Sequence, residues 1–320
     1  MSFIGGGSDM RAFYGEHPGA VLSSAVNKYV FVTVNRKFDD GVRVAYSKTE
    51  EVASAAEVEH RLVRAALNRL GLRGGMEITT VADIPSRGTG LGSSSSFTVG
   101  LLNALSAFKG QYVTREYLAA ESCEIEINIC GEPIGKQDQY AAAYGGFNLI
   151  EFLPDDAVRV TPVVIQPSVV SKLQSHLMVF YTGKTRSASA LLAKQTAAVA
   201  GDADKRRVLK RMVDLTHQVK AELESGNLDA FGDALHENWM LKKSLTEGIS
   251  SEDIDRWYDL GRDGGALGGK ILGAGAGGFL LLYAPPDRHA AIEHMLPELK
   301  LVKMGFEPMG SQIIFYNPPE

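Results

Sequence analysis

Residues 86–97 read "SRGTGLGSSSSF", with three glycines and five serines in twelve positions. An alternating apolar run, "MEITTVADIP" (76–85), precedes it, and "SFTVGLLNALSAFKG" follows. In that second run Phe97, Leu101, Leu105 and Phe108 recur at i, i+4, i+8 and i+11, the spacing of one helix face, and Lys109-Gly110 supply a stop. A disordered linker would not lead directly into so periodic a helix. The stretch therefore predicts a loop between a strand and a helix N-terminus, where the first N–H groups lack intrahelical partners and the helix dipole favours an anion. Gly88, Gly90 and Gly92 allow close backbone approach, while Ser93, Ser94, Ser95 and Ser96 add hydroxyl donors and a cap. Phosphate is the usual occupant of such a cradle. The loop is not the GxxxxGK[ST] type, because no lysine follows the glycines.

The chain around this loop has 320 residues, 45% hydrophobic and 22% charged, with a formal net charge of −5. These values fit a soluble globular protein of one large or two ordinary domains, and the charge offers no attraction to nucleic acid or an anionic membrane. No apolar run approaches the ~20 residues that span a bilayer. "MSFIGGGSDM" lacks the basic and apolar regions of a signal peptide, so a cytoplasmic location is expected. Cys123 and Cys130 sit seven apart in a helix predicted over about 115–130, roughly 10 Å along its axis at ~1.5 Å per residue, too far for a disulfide. They read as buried thiols. The basic cluster "DKRRVLKR" (204–211) reads as a solvated helix face.

The β-rich runs 29–38 and 42–47, separated by "DDG", predict a hairpin, and a helix is expected near 54–70. After the loop and its helix come the helix over about 115–130, a shorter one at "KQDQYAAAY" and a strand at "FNLIEFLP". The proline-bearing segment 154–168 marks passage into a second half. That half is read as a strand at 176–182, helices from about 187 to 260, a glycine loop entering a buried strand, and a last strand near 311–316. Irregular alternation with hairpins predicts an α+β chain in two domains, residues 1–165 and 166–320.

Two carboxylates turn the cradle into a candidate site. On a helical wheel Glu121, Glu124 and Asn128 form a narrow polar face, whereas Glu126 falls on the apolar arc with Ser122 and Ile125. An inward carboxylate must be paired, hydrogen-bonded or bound to a cation. A salt bridge to a core arginine is the plain alternative; a cation is preferred because Mg²⁺ takes one or two carboxylates plus phosphate oxygens, and the cradle lies one helix away. Asp138 sits in "GEPIGKQDQYAAAYGG", a short segment bounded by glycines, where by itself it would read as a helix cap.

"PSRGTGLGSSSSFTVGLLNAL" resembles the phosphate-loop motif of the GHMP kinases, Pro-x-x-x-Gly-Leu-Gly-Ser-Ser followed by small residues, with one extra residue after Pro85. "KILGAGAGGFLLL" (270–282) resembles the family's C-terminal glycine loop, and "SFIGGGSDM" (2–10) its N-terminal motif. "NKYVFVTV", "GKQDQYAAAYGGFN", "YTGKTRSAS" and "ENWMLKKSL" are similar to segments of the bacterial branch that phosphorylates the anomeric oxygen of D-glycero-D-manno-heptose 7-phosphate. The resemblance implies an N-terminal domain of the ribosomal-S5 domain-2 type and a ferredoxin-like C-terminal domain, with ATP and a sugar phosphate meeting between them. It also implies a place in nucleotide-activated heptose synthesis, as used in lipopolysaccharide or capsule. No nucleic-acid or membrane partner is expected, and a homo-oligomer is compatible with the sequence.

Carried over residue by residue, the resemblance implies that Gly88, Gly90, Leu91, Gly92, Ser93, Ser94 and Ser95 hold the nucleotide phosphates. Ser94 and Glu126 would ligate Mg²⁺, and Asp138 would accept the proton of the attacking hydroxyl or orient it. Asp9, with Gly6 and Gly7, would meet the sugar hydroxyls. Gly275, within 273–278, would approach the substrate or brace the phosphate loop. Arg186 is the first candidate for the substrate's own phosphate, with Lys184 and Lys242 behind it, since a guanidinium grips phosphate through two hydrogen bonds. His236 reads as packing. The family's basic residue just ahead of the segment equivalent to "SFIGG" has no counterpart before Ser2, and adding such upstream residues is expected to raise activity. The rival expectations are a family kinase for an unphosphorylated sugar, such as fucose or galactose, and a non-catalytic sugar-binding relative.

Overall fold

The structure, a computed structural model, describes residues 1–85, 90–184 and 188–317. Strands β1 (Ser2–Ile4), β2 (Gly19–Ser24), β3 (Val30–Arg36), β4 (Val42–Ala45), β5 (Thr49–Val52), β6 (Met76–Ala82), β7 (Phe147–Phe152) and β8 (Val158–Pro162) belong to the first half. Between them lie α1 (Arg11–Tyr14), α2 (Arg61–Arg69), α3 (Ser93–Phe108), α4 (Arg115–Cys123) and α5 (Gln137–Tyr144). The second half runs α6 (Pro167–Ser175), β9 (Leu177–Tyr181), α7 (Ala188–Gly201), α8 (Ala203–Glu224), α9 (Phe231–Leu245) and α10 (Glu252–Asp263). It closes with β10 (Gly268–Ile271), β11 (Phe279–Tyr283), α11 (His289–Met295) and β12 (Lys300–Leu301).

Among the described residues the strands form three four-stranded sheets, ordered β1-β2-β7-β8, β3-β6-β4-β5 and β10-β11-β9-β12. The third is antiparallel throughout, and with α11 between β11 and β12 it has the strand order of a ferredoxin-like sheet. The α+β reading therefore holds. Strand β3 alternates as its sequence predicts, with Val30, Val32 and Val34 less exposed than Phe31 and Thr33.

The predicted hairpin of 29–38 with 42–47 does not form. Strand β6 lies between β3 and β4, antiparallel to the first and parallel to the second. Asp39, Asp40 and Gly41 make a wide mouth instead of a tight turn. Gly75 enters β6 through it, its N–H facing the carbonyls of Asp40 at 2.9 Å and Gly41 at 2.8 Å, and a side chain at Gly74 would strike the Asp40 carbonyl. The tight hairpin is β4–β5. Nor is 311–316 a strand. Ile313, Ile314, Phe315 and Tyr316 are apolar and β-prone but pair with no strand, and Ile314 and Phe315 are exposed. The helix expected over 115–130 is α4 followed by a π-helical stretch at Glu124–Ile129, with Cys123 and Cys130 both buried and unbonded. No described helix is long and apolar enough to cross a membrane.

Three apolar clusters hold the chain. One fills the first half around Ile78, Leu101 and Ile125; another fills the second around Trp239, Leu280 and Ile292. The third belongs to both halves: Phe3 and Leu22 pack with Leu215, Phe231 and Leu281. Phe3 stacks on Phe147 at 5.3 Å between centroids and meets Phe231 edge-on at 5.7 Å. Truncating a fully buried aromatic removes its transfer free energy and leaves a cavity. Phe3→Ala is expected to cost about 3–5 kcal/mol in urea unfolding, and a loss below about 1 kcal/mol would mean that the two halves are not held through this cluster.

Candidate active site

A cavity of about 1000 Å³ opens between the sheets and helices that these clusters hold together. One side is apolar and aromatic, with Val30, Leu62 and Ile84 beside a train of rings in which Tyr46 meets His60 at 4.7 Å and His60 meets Phe97 at 5.4 Å. The wall also carries the polar residues Asp9, Glu132, Gln137, Ser189 and Lys242. Gly90, Gly92, Ser93, Ser94 and Ser95, together with Glu126 and Asp138, line the same cavity.

Helix α3 begins here as predicted, but its cap differs from the expectation. Gly92, at φ 68° and ψ 27°, is the N-cap residue and offers no side chain, so the serines stand inside the first turn. Two of their hydroxyls serve Glu126: Ser95 donates to Oε2 at 2.7 Å and Ser94 to Oε1 at 3.3 Å, while Thr98 one turn later donates to Oε1 at 2.8 Å. Gln139 of α5 also donates to Oε2. The π-helical stretch carries Glu126 under the start of α3 with only 1% of its surface exposed. Burial pushes its pKa up against the pull of these donors.

Glu126 and Ser94 place a carboxylate and a hydroxyl oxygen side by side at the cradle, a donor set that suits a hard cation. Among the described residues no group of three or more His, Cys, Asp or Glu could cage a metal. Such a pair can take part in holding a cation whose other ligands come from a bound phosphate. A buried carboxylate without an ion pair gains from such a cation.

Asp138, in the first turn of α5, faces the helix start. A Cβ placed on Gly92 would lie 3.1 Å from Asp138 Cβ and Cγ. Burial raises the Asp138 pKa to about 6; Asp9 and Glu126 push the same way, and the Met1 amino group and Lys270 oppose them. Asp9 is held by backbone N–H groups, Gly7 to Oδ1 at 2.8 Å and Gln137 to Oδ2 at 3.2 Å. Gly135 leaves the room for it, since a Cβ there would overlap Oδ2. The C-terminal glycine loop reaches the cradle too. A Cβ on Gly90 would strike the Leu272 carbonyl, and one on Gly273 would strike Gly90 Cα, so the two loops brace each other backbone to backbone.

The cavity thus gathers Gly90, Gly92, Ser93, Ser94, Ser95, Glu126, Asp138, Asp9 and Gly7. Four sequence candidates stand off it. Leu91 packs into the shared core, and Gly6 contributes its carbonyl to Lys242. Gly275 backs onto Ile249. Lys184 pairs with Asp253 and lies over the Trp257 ring at 5.4 Å. Gly88 and Arg186 fall outside the described residues. Sequence reasoning missed Tyr46, His60, Gly135, Gln195 and Lys270. Only the glycine at 135, in "GEPIG", carried a local signal.

Lys270 is a second buried cation. It projects from β10 to the carbonyls of Ser2 at 3.0 Å and Phe3 at 3.3 Å, and burial lowers its pKa to about 7. Its charge reaches Asp138, as do those of the Met1 amino group, Asp9 and Glu126. A carbon-13 carboxyl titration of Asp138 should show a midpoint of about 6, and Lys270→Met should move it upward by removing a positive neighbour. An unmoved midpoint in that variant would refute the link.

The profile described as GHMP kinases N terminal domain matches residues 43–146, and that described as GHMP kinases C terminal matches residues 219–299. The D-glycero-alpha-D-manno-heptose 7-phosphate kinase of Campylobacter jejuni is 27% identical over 302 residues, which cover 90% of this chain and 88% of that one. The bifunctional fucokinase/GDP-fucose pyrophosphorylase of Arabidopsis thaliana is 27% identical over 308 residues, 89% of this chain but 29% of the plant protein. A crystal structure described as a D-glycero-D-manno-heptose 1-phosphate kinase from Bacteroides thetaiotaomicron superposes with a TM-score of 0.80 at 26% identity, covering 97% and 94% of the two chains.

Proposed function

Because the chain belongs to the GHMP kinases, we propose that it transfers the γ-phosphoryl group of ATP to the anomeric hydroxyl of D-glycero-D-manno-heptose 7-phosphate, giving the 1,7-bisphosphate. The observation that carries this reading is the contact of Gly92 with Asp138: an anion cradle and a half-buried carboxylate meet in one cavity with room for two substrates. The likeness to a heptose 7-phosphate kinase over 302 residues supports the choice of acceptor. In this reading residues 1–165 hold the nucleotide and 166–320 complete the acceptor side.

Phosphoryl transfer asks the protein for in-line positioning and charge neutralisation more than for covalent chemistry. The ring train of Tyr46, His60 and Phe97 suits a nucleobase, and the first N–H groups of α3 suit the phosphates. Ser94 and Glu126 would hold Mg²⁺, which neutralises charge on the phosphates when bound. The anomeric oxygen attacks the γ-phosphorus, ADP leaves, and the hydroxyl proton passes to Asp138. A carboxylate with a pKa of about 6 is a stronger base than an ordinary aspartate and is still ionised at neutral pH. Asp9 accepts from sugar hydroxyls through the lone pairs that Gly7 and Gln137 leave free.

ADP release with Mg·ATP tests the reading on heptose 7-phosphate, mannose 6-phosphate, galactose and fucose. Turnover confined to the heptose phosphate is expected. Turnover with a free sugar instead would move the chain to another branch, and none at all would make it a non-catalytic relative. Asp138→Asn should lower kcat by roughly 10²–10⁴-fold, the usual worth of a positioned base. Because only ionised Asp138 can take the proton, the wild-type rate should fall as pH drops through about 6; a flat rate from pH 5 to 8 would remove Asp138 from that role. In Glu126→Gln, half-saturation by Mg²⁺ should rise at least several-fold, and an unchanged Mg²⁺ curve would take Glu126 out of the metal site.

A further inference from the structure

The wall of the cavity holds a cation for which the described residues supply no ion pair. Lys242 of α9 is only 5% exposed and has no carboxylate within 4.0 Å. Its ammonium donates to the Gly6 carbonyl at 3.1 Å and to Gln195 Oε1 at 3.0 Å, which leaves one of three N–H donors unspent. Gln195 of α7 is fully buried. Because its Oε1 accepts from Lys242, its amide orientation is fixed, and Nε2 has no hydrogen-bond partner.

Both nitrogens pack against Gly7. A Cβ placed on Gly7, whose φ is +108°, would lie 2.5 Å from Gln195 Nε2 and 3.1 Å from Lys242 Nζ. Gly7 and Lys242 line the cavity. The charged groups acting on Lys242 are Asp9 in the loop after β1, which favours the ammonium, and Lys270 on β10, which carries a like charge. Burial outweighs Asp9 and lowers the Lys242 pKa to about 8.

A buried ammonium without an ion pair is costly, and a buried amide without a partner adds to the cost. A neutral hydroxyl in the cavity would leave the Lys242 charge uncompensated, whereas an anion answers it. We propose that Lys242, oriented by Gln195, binds the phosphate that the acceptor already carries, and so selects phosphorylated over free sugars. This deepens the preceding proposal and rests on its sugar-phosphate acceptor. Gln195 is a positioning residue: it spends one Lys242 donor and holds the ammonium beside Gly7 on the cavity wall.

Calorimetric titration tests this with D-glycero-D-manno-heptose 7-phosphate and with the unphosphorylated heptose, on the full chain without nucleotide. Lys242→Met should weaken the phosphate ester roughly tenfold or more, the scale of one charge-assisted contact, and leave the weak binding of the free heptose unchanged. Lys242→Arg should restore part of the loss. Gln195→Leu should give a smaller loss of the same selectivity and carries the test should Lys242→Met fail to fold. Equal weakening of both ligands would assign Lys242 to a sugar hydroxyl and overturn the proposal, as would no weakening of either. Wild-type protein that binds the free sugar as tightly as its phosphate would instead overturn the acceptor assignment from which the proposal starts.

Discussion

Gly90 and Gly273 meet with no room for a side chain on either, and the cavity is built around that contact. One belongs to the loop that starts α3, the other to the loop that follows β10, so their approach joins the two halves at the phosphate cradle. Both have positive φ, 73° and 72°, which L side chains adopt only at a cost. Gly92 then places the start of α3 against Asp138, and Leu91 between them anchors in the core that both halves share. A loop held this way keeps its N–H groups aimed without depending on its own side chains.

The charged groups around this contact are expensive to bury. Asp9, Glu126, Lys242 and Lys270 are each 5% exposed or less, and none has an ion-pair partner among the described residues. Backbone N–H groups hold Asp9, hydroxyls and an amide hold Glu126, and carbonyls hold the two lysines. Dipoles of this kind orient a charge without neutralising it, so the charge remains available to a ligand. A closed carboxylate–lysine pair would be more comfortable in isolation and less useful to a substrate. The raised carboxylate and lowered lysine pKa values follow from the same arrangement.

Legibility in the sequence tracked the range of the interaction. The start of α3 could be read because glycine freedom and helical period act within a few residues. Glu126 could be read as inward because a helical wheel reports burial, even though the backbone there is π-helical. The β3–β4 hairpin was misread because "DDG" satisfies local turn chemistry, whereas the true neighbour, β6, arrives about forty residues later to bury Met76 and Ile78. The apparent strand at 311–316 failed for the complementary reason: β propensity is local, but a strand needs an edge to pair with.

By itself the sequence determined the α+β class, the glycine cradle, the inward Glu126 and the family resemblance, all of which rest on spacing within short windows. Only the tertiary structure decided which lysine serves the cavity. Lys184 and Lys242 are chemically identical and both lie in segments that resemble the family, yet one pairs with Asp253 at the surface and the other is buried beside Gly7. It also brought Lys270 from the far end of the chain to the carbonyls of Ser2 and Phe3. The desolvation that gives these lysines their character comes from what packs around them, and no window of sequence contains that environment.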